Sequence, residues 1–136
     1  KFGPKEARPK FVCVAPHGLE LPSELKLELE ESGCEIHETT DLEEVIGGFD
    51  VLSNTRIQEE RFASPREFEK YRGVYKITPQ LLKGAKKEMI VLDPLPRVDE
   101  QIAVAVDDDP RARYFEQVQN GVFVRMALLA LALGAK

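Results

Sequence analysis

Two polar side chains, Arg56 and Gln58, have the types and spacing expected of a site for a small anion. A guanidinium is a rigid group that donates two parallel hydrogen bonds to a carboxylate or a phosphate. A neighbouring glutamine amide adds both a donor and an acceptor. The pair therefore suits a small dicarboxylate or phosphate ligand. The pattern is also compatible with a solvated turn on which Arg56 forms an ion pair with Glu59 or Glu60.

A second segment, DPLPRVDE at residues 93–100, has a proline on each side of Leu95. Pro94 and Pro96 restrict the backbone and remove two N–H donors, which leaves carbonyl groups able to accept hydrogen bonds from a ligand. An X-Pro bond in such a turn is a candidate for the cis form. Because prolines are also common in ordinary turns after strands, this segment alone is a weak indication of a site.

The two segments are positioned by elements that alternate along the chain. Short apolar runs predict strands, and stretches with capping residues predict helices between them. The predicted strands are residues 11–15, 34–38, 49–53, 73–77 and 88–92, and the predicted helices are 22–31, 41–48, 64–71, 78–83 and 115–133, the last interrupted at Asn120–Gly121. This alternation predicts an α/β fold, with an open doubly wound, mainly parallel sheet of about five strands and helices on both faces. Ligands of such sheets bind beyond the carboxyl ends of the strands, directly after Leu52 and Leu92 in this chain.

Length and composition exclude several classes of function. A chain of 136 residues suits one domain, predicted at residues 11–136 after a linker or tail at residues 1–10. The net charge of -5, without a basic cluster, argues against nucleic acid as a partner. The apolar run at 126–133 is too short for a bilayer, which needs about 20 residues. Cys13 and Cys34 lack metal-site spacing and are predicted to be free, buried thiols in a cytoplasmic protein without metal or cofactor.

The motifs together resemble those of a known enzyme family. TRIQEER at residues 55–61 and PLPRVDE at residues 94–100 are followed by matching groups at Val106–Asp107, Asp109–Pro110, Arg113–Phe115, Gln117, Asn120–Gly121 and Val124–Ala130. APHGLELP at residues 15–22 matches more loosely. The set covers residues 11–134 and is similar to the aspartate-binding domain of aspartate carbamoyltransferases. It is less similar to ornithine carbamoyltransferases, in which a cysteine precedes the Leu–Pro pair.

The resemblance implies an activity and a role for each matching residue. In the family, carbamoyl phosphate and L-aspartate react in a cleft between two α/β domains to give N-carbamoyl-L-aspartate and phosphate, a step of pyrimidine biosynthesis. The resemblance implies that Arg56 binds an aspartate carboxylate, that Gln58 orients the amino acid, and that backbone groups of Leu95 and Pro96 face the carbamoyl group and the attacking amine. It also implies a carbamoyl-phosphate-binding partner domain and a homotrimer. Interdomain or closure contacts are implied for Arg61, Asp99, Glu100 and Arg125.

The chain departs from the family pattern at five positions. Ser53 and Asn54 stand where a bulky pair such as Tyr–Met is usual, Glu59 replaces a lysine, Asp93 replaces a histidine, and Gln101 has the position of a one-residue insertion. The changes at positions 59 and 93 add negative charge beside a site for anions. The phosphate-binding residues of the family lie in the preceding domain, so we expect this chain to be inactive by itself. Two other functions stay open: a non-catalytic α/β module kept for folding or assembly, and a binder of a different small anion.

The apolar C-terminal stretch supports two expectations. Its composition predicts that Tyr114, Phe115 and the stripe at residues 126–133 belong to a core. The resemblance implies that the final helix packs toward the other domain. Without that domain, we expect Arg125–Leu133 to have an exposed apolar surface.

Overall fold

The computed structural model of the chain describes residues 9–134, apart from the side chain of Arg61. The chain divides between Glu44 and Val45 into two compact units. The described elements are β1 (Lys10–Val14), α1 (Ser23–Glu31), β2 (Glu35–Thr39), α2 (Leu42–Val45), β3 (Val51–Ser53), α3 (Pro65–Phe68), α4 (Pro79–Leu82), β4 (Ile90–Leu92) and α5 (Tyr114–Ala132), with 3-10 turns at Ile46–Gly48, Glu59–Arg61 and Val104–Val106. Residues 1–8 of the predicted tail lie outside the described residues. Lys10, the last residue of that tail, already begins β1. The single domain at residues 11–136 stays a prediction.

The first unit is built on one βαβ connection. β1 and β2 pair in parallel along their whole length, and α1 connects them, because parallel strands need a crossover rather than a hairpin. The predicted end of α1 is confirmed: Gly33 has a φ of 85°, and the N–H of Cys34 donates to the carbonyl of Leu29 at 3.1 Å. Cys13 and Cys34 are free thiols, as predicted, but half-buried rather than buried.

The second unit is organised around β4. This strand pairs in parallel with β3 on one side. On its other side, the N–H of Val91 donates to the carbonyl of Arg111 at 2.8 Å, and its carbonyl accepts from the N–H of Arg113 at 2.9 Å. β4 therefore lies between β3 and the segment at residues 111–113. The apolar side chains that form the core of this unit are at most 2% exposed: Ile46, Ile77, Leu82, Met89, Val91, Ile102, Val106 and Tyr114.

The strand predicted at residues 73–77 is wrong. Gly73 has a φ of 69°, and the N–H of Lys76 donates to the Gly73 carbonyl at 3.3 Å, so this stretch is a turn. Only Ile77 pairs, through a single parallel bridge to Ile102. The described residues thus contain four strands in two parallel pairs. This agrees with an α/β fold, whereas one sheet of about five strands is not confirmed.

The predicted helix starts are confirmed by capping hydrogen bonds. The side chains of Asp41, Ser64 and Thr78 accept from backbone N–H groups three residues further on, at 3.0, 3.3 and 3.1 Å. These caps fix where α2, α3 and α4 begin. The end of α3 was predicted at Tyr71 and lies at Phe68, because the following residues form turns.

The last helix, α5, is continuous, so the interruption predicted at Asn120–Gly121 is wrong. A glycine inside a helix costs only about 1 kcal/mol, which its neighbours can offset. Tyr114 is fully buried, as predicted, whereas Phe115 is 53% exposed. The stripe at residues 126–133 is not core, and the prediction of an exposed apolar surface at Arg125–Leu133 is confirmed. Within the part of the chain that the structure describes, no helix is long and apolar enough to cross a membrane.

Candidate functional site

The carboxyl ends of β3 and β4 lie side by side, as the sequence predicts for neighbouring parallel strands. The register places Ser53 opposite Leu92, and the N–H of Asn54 continues the ladder by donating to the Leu92 carbonyl at 2.8 Å. The Asn54 side-chain amide then donates to Asp93 Oδ2, also at 2.8 Å. The segment with Arg56 and the turn with Leu95 therefore leave the same edge of this strand pair.

The turn at Leu95–Pro96 has an unusual backbone that Asp93 holds. Leu95 has a φ of 54°, in the left-handed region that residues other than glycine rarely adopt, and the Leu95–Pro96 peptide bond is cis. The N–H of Leu95 donates to Asp93 Oδ1 at 2.8 Å. The N–H of Asp93 donates in turn to the side-chain oxygen of Gln117 on α5 at 3.0 Å. The aspartate is only 2% exposed, so these bonds form away from solvent.

Arg56 is paired within its own segment. Its Nη1 donates to Glu60 Oε2 at 2.9 Å, and its Nη2 contacts Glu60 Oε1. This contact raises the pKa of Arg56 through the hydrogen bond and the charge of Glu60. The structure therefore agrees with the alternative interpretation of an ion pair on a turn, and the Arg56 side chain is 45% exposed. Gln58 is half-buried, immediately before the 3-10 turn at Glu59–Arg61.

Two of the four residues predicted to make interdomain contacts, Asp99 and Glu100, have ion-pair partners inside the chain. Asp99 Oδ2 lies 2.7 Å from Lys76 Nζ, which holds the pKa of that carboxyl below its usual value. Glu100 Oε1 lies 3.2 Å from Arg72 Nη2. The sequence analysis missed the partners Lys76 and Arg72. Lys76 lies in the stretch predicted as a strand, and Arg72 lies between the predicted helix at residues 64–71 and that strand. The side chain of Arg61 lies outside the described residues.

Arg125 lies beside an open cleft between β4 and α5. The cleft has a volume of about 750 Å³ and is lined by Ile90, Leu92, Arg113, Glu116, Gln117, Asn120, Gly121, Val124 and Arg125. Nη1 of Arg125 is 3.1 Å from the position that a Cβ at Gly121 would take. The lack of a side chain at Gly121 thus leaves room for this guanidinium on the helix surface.

Arg97, the arginine of the proline segment, anchors the turn from its other end. Arg97 Nε donates to Asp107 Oδ1 at 3.0 Å, its Nη2 contacts Asp107 Oδ2, and the buried Tyr114 hydroxyl donates to Oδ1 at 2.5 Å. The hydrogen bond from Arg97 lowers the pKa of Asp107, and burial raises that of Tyr114. Gln101, the predicted insertion, lies in a loop that contacts Ile77: the N–H of Ile77 donates to the Gln101 carbonyl at 2.7 Å.

Sequence reasoning missed the bond between Asn54 and Asp93, although it noted both as departures from the family. The signal was present, because each residue directly follows one of two strands predicted to be parallel.

Within residues 9–134, no group of three or more His, Cys, Asp or Glu side chains could hold a metal ion.

The chain is similar to known proteins over nearly all of its length. Residues 6–132 match the family described as Aspartate/ornithine carbamoyltransferase, Asp/Orn binding domain. The aspartate carbamoyltransferase catalytic subunit of Methanopyrus kandleri is 51% identical over 126 residues, which are 92% of this chain and 40% of that protein. That of Methanosarcina mazei is 50% identical over 125 residues, again 92% of this chain and 40% of that protein. The chain therefore spans about 40% of the length of these curated relatives.

Solved structures agree with the sequence relatives. The catalytic subunit of M. jannaschii aspartate transcarbamoylase superposes with a TM-score of 0.77 at 41% identity, over 90% of this chain and 39% of that one. The Trypanosoma cruzi aspartate transcarbamoylase in complex with carbamoyl phosphate and aspartate gives a TM-score of 0.78 at 38% identity, over 89% of this chain and 40% of that one. The chain belongs to the family of Asp/Orn-binding domains of aspartate and ornithine carbamoyltransferases.

Proposed function

We propose that this chain is the L-aspartate-binding domain of an aspartate carbamoyltransferase and that it needs a carbamoyl-phosphate-binding domain for turnover. The reaction forms a bond between the aspartate amine and the carbamoyl carbon, and phosphate leaves. No covalent enzyme intermediate is involved. The domain then contributes by orienting aspartate and by placing hydrogen-bonding groups where charge develops in the transition state.

The observation that carries this proposal is the junction of the two polar segments at one strand edge. Arg56 follows β3 and the Leu95–Pro96 turn follows β4, and the hydrogen bond from Asn54 to Asp93 joins the two exits. A carboxylate bound at Arg56 competes with Glu60 or shares the guanidinium with it. The carbonyl of Leu95, held by the left-handed turn, serves as an acceptor for the amine or the carbamoyl group.

The proposal includes the interdomain roles and the partners. Arg61, Asp99, Glu100 and Arg125 contact the carbamoyl-phosphate-binding domain, and the whole enzyme is a cytoplasmic homotrimer in pyrimidine biosynthesis. The exposed apolar side chains of α5 support a covering partner, since exposed apolar surface of this kind marks interaction sites. The finer fold prediction, one open doubly wound sheet of about five strands, also remains part of the proposal.

The test is a chimera with a similar enzyme. This chain replaces the matching 126 residues of the Methanopyrus kandleri catalytic subunit, to which it is 51% identical there. We expect the chimera to form carbamoyl-aspartate from carbamoyl phosphate and aspartate, and the Arg56→Ala chimera to lose at least about 100-fold in kcat/KM, because a bidentate charge-assisted contact is lost. The matched control is Arg66→Ala, which removes another exposed arginine and leaves activity unchanged.

Two outcomes contradict the proposal. A chimera that folds and assembles but forms no carbamoyl-aspartate supports the alternative of a non-catalytic module. A chimera whose activity is indifferent to Arg56→Ala shows that aspartate is held elsewhere. The chain without the other domain should form no carbamoyl-aspartate, and mixing it with a separate carbamoyl-phosphate-binding domain tests whether covalent linkage is needed.

A further inference from the structure

Two departures from the family pattern, Asn54 and Asp93, contact each other. We propose that they act as a positioning pair, in which the Asp93 carboxylate fixes the Leu95–Pro96 turn relative to the Arg56 segment. This inference rests on the proposed function, because it assigns the pair to the geometry of the aspartate site. Neither residue is proposed to touch a substrate.

The contacts of the Asp93 carboxylate divide between the two segments. Oδ1 accepts from the N–H of Leu95 at 2.8 Å, on the turn that follows β4. Oδ2 accepts from the side-chain amide of Asn54 at 2.8 Å, on the segment that follows β3 and continues to Arg56. One rigid carboxylate therefore sets the distance between the turn and the segment, since neither oxygen can move without the other.

The surroundings of the pair explain why a link between the two segments is needed here. β3 and β4 are paired over only three residues each, so the strand ladder ends before either functional segment begins. Beyond the ladder, the Asn54 N–H still donates to the Leu92 carbonyl at 2.8 Å, and the side-chain bond is the next cross-link. Leu95, with its φ of 54°, has a conformation that depends on external contacts. Its N–H bond to Asp93 supplies one.

The burial of Asp93 restricts the movement of the pair. Asp93 is 2% exposed, and a carboxylate withdrawn from water needs hydrogen-bond partners in place of solvent. The backbone N–H of the same residue donates to the side-chain oxygen of Gln117 at 3.0 Å, which ties the pair to α5. An exposed ion pair such as Lys86–Asp50, in which Asp50 is 86% exposed, lacks this constraint.

The pair permits an exchange experiment, because each hydrogen bond has a defined donor and acceptor. Asn54→Asp places two carboxylates in contact and removes the donor to Asp93. In the N54D/D93N double variant, the amide at position 93 donates to the carboxylate at position 54, and its oxygen accepts from the Leu95 N–H. The double variant has the same net charge as the parent. It restores both hydrogen bonds, with the direction reversed only in the bond between the two side chains.

We expect Asn54→Asp to lower kcat/KM for aspartate of the chimera by about 10- to 100-fold, the loss typical of one hydrogen bond to a charged group. The N54D/D93N variant should recover most of this loss. In the isolated chain, hydrogen exchange of the Leu95 amide should accelerate in Asn54→Asp and return to the parent rate in the double variant. Asp50→Asn, which changes an exposed aspartate before β3, is the matched control and should leave both measurements unchanged.

The two measurements separate this inference from the proposed function. A chimera without any activity contradicts the proposed function, whereas the Leu95 exchange rates still test the pair. If Asn54→Asp lowers only the urea midpoint and leaves the Leu95 amide and kcat/KM unchanged in the folded protein, the pair is merely structural and the inference is wrong. Failure of the double variant to restore either measurement also overturns it.

Discussion

Arg56 and Glu60 face each other through the two Nη atoms of the guanidinium and both carboxylate oxygens, with Arg56 Nη1 2.9 Å from Glu60 Oε2. The proposed ligand of Arg56 is itself a carboxylate. Aspartate must therefore compete with a carboxylate that the same short segment supplies. In the free chain, the intramolecular partner has the advantage because it is already in place.

This competition leads to the first prediction, for aspartate binding by the chain alone. We expect a dissociation constant no tighter than about 1 mM, since one solvated contact and no closing domain provide little free energy. Isothermal titration calorimetry of the chain measures this constant. A micromolar constant that Arg56→Ala abolishes would contradict the view that this half-site is weak by itself.

The second prediction concerns the pH dependence of stability through Asp107. The hydrogen bond from Arg97 holds the pKa of Asp107 below its unfolded value. The stabilisation is therefore complete above the unfolded pKa of about 4 and is lost as the pH falls through the lower folded value. We expect Asp107→Asn to reduce the free energy of unfolding at pH 7 by about 1–2 kcal/mol, a figure reduced for partial exposure. Urea titrations of parent and variant should differ less at pH 3 than at pH 7; an equal difference at both would refute this explanation.

The third prediction concerns self-association through α5. Val124, Leu128 and Leu131 lie on one face of the helix by their spacing and are 58%, 60% and 74% exposed. We expect the isolated chain to associate reversibly at micromolar to millimolar concentration, and Leu128→Lys to weaken this association by placing a charge in the contact. Sedimentation velocity over a concentration series measures it. Val74→Lys, at an exposed apolar position outside α5, is the control, and a monomeric parent chain would contradict the prediction.

The fourth prediction concerns the glycine inside α5. A Cβ at Gly121 would meet Arg125 Nη1 at 3.1 Å, and this end of a flexible, exposed side chain can move aside. Gly121→Ala should therefore raise the free energy of unfolding by about 0.5–1 kcal/mol, through helix propensity. Gly33→Ala should do the opposite, because Gly33 has a φ of 85°. Urea denaturation distinguishes the two, and a loss of stability in Gly121→Ala would show that the Arg125 position is fixed.

The sequence by itself determined the local features of this chain. Helix starts at Ser64 and Thr78 follow from hydroxyl side chains placed before prolines, and the end of α1 follows from Gly33. Apolar runs identified β1, β3 and β4, and the alternation of apolar and polar residues identified β2. The position of Arg56 and Leu95 after parallel strands also followed from the order of the elements.

Only the tertiary structure decided which distant groups meet. The bond from Asn54 to Asp93 depends on the register of β3 against β4, and a shift of one residue would separate the two side chains. The partner of Arg56 was left open between a ligand and its own segment, since both satisfy the same guanidinium. Residues 73–77 have the composition of a strand, but Gly73 turns the chain and Ile77 is left with one bridge. The exposure of α5 is likewise a tertiary property, because an apolar helix is buried only where another surface lies against it.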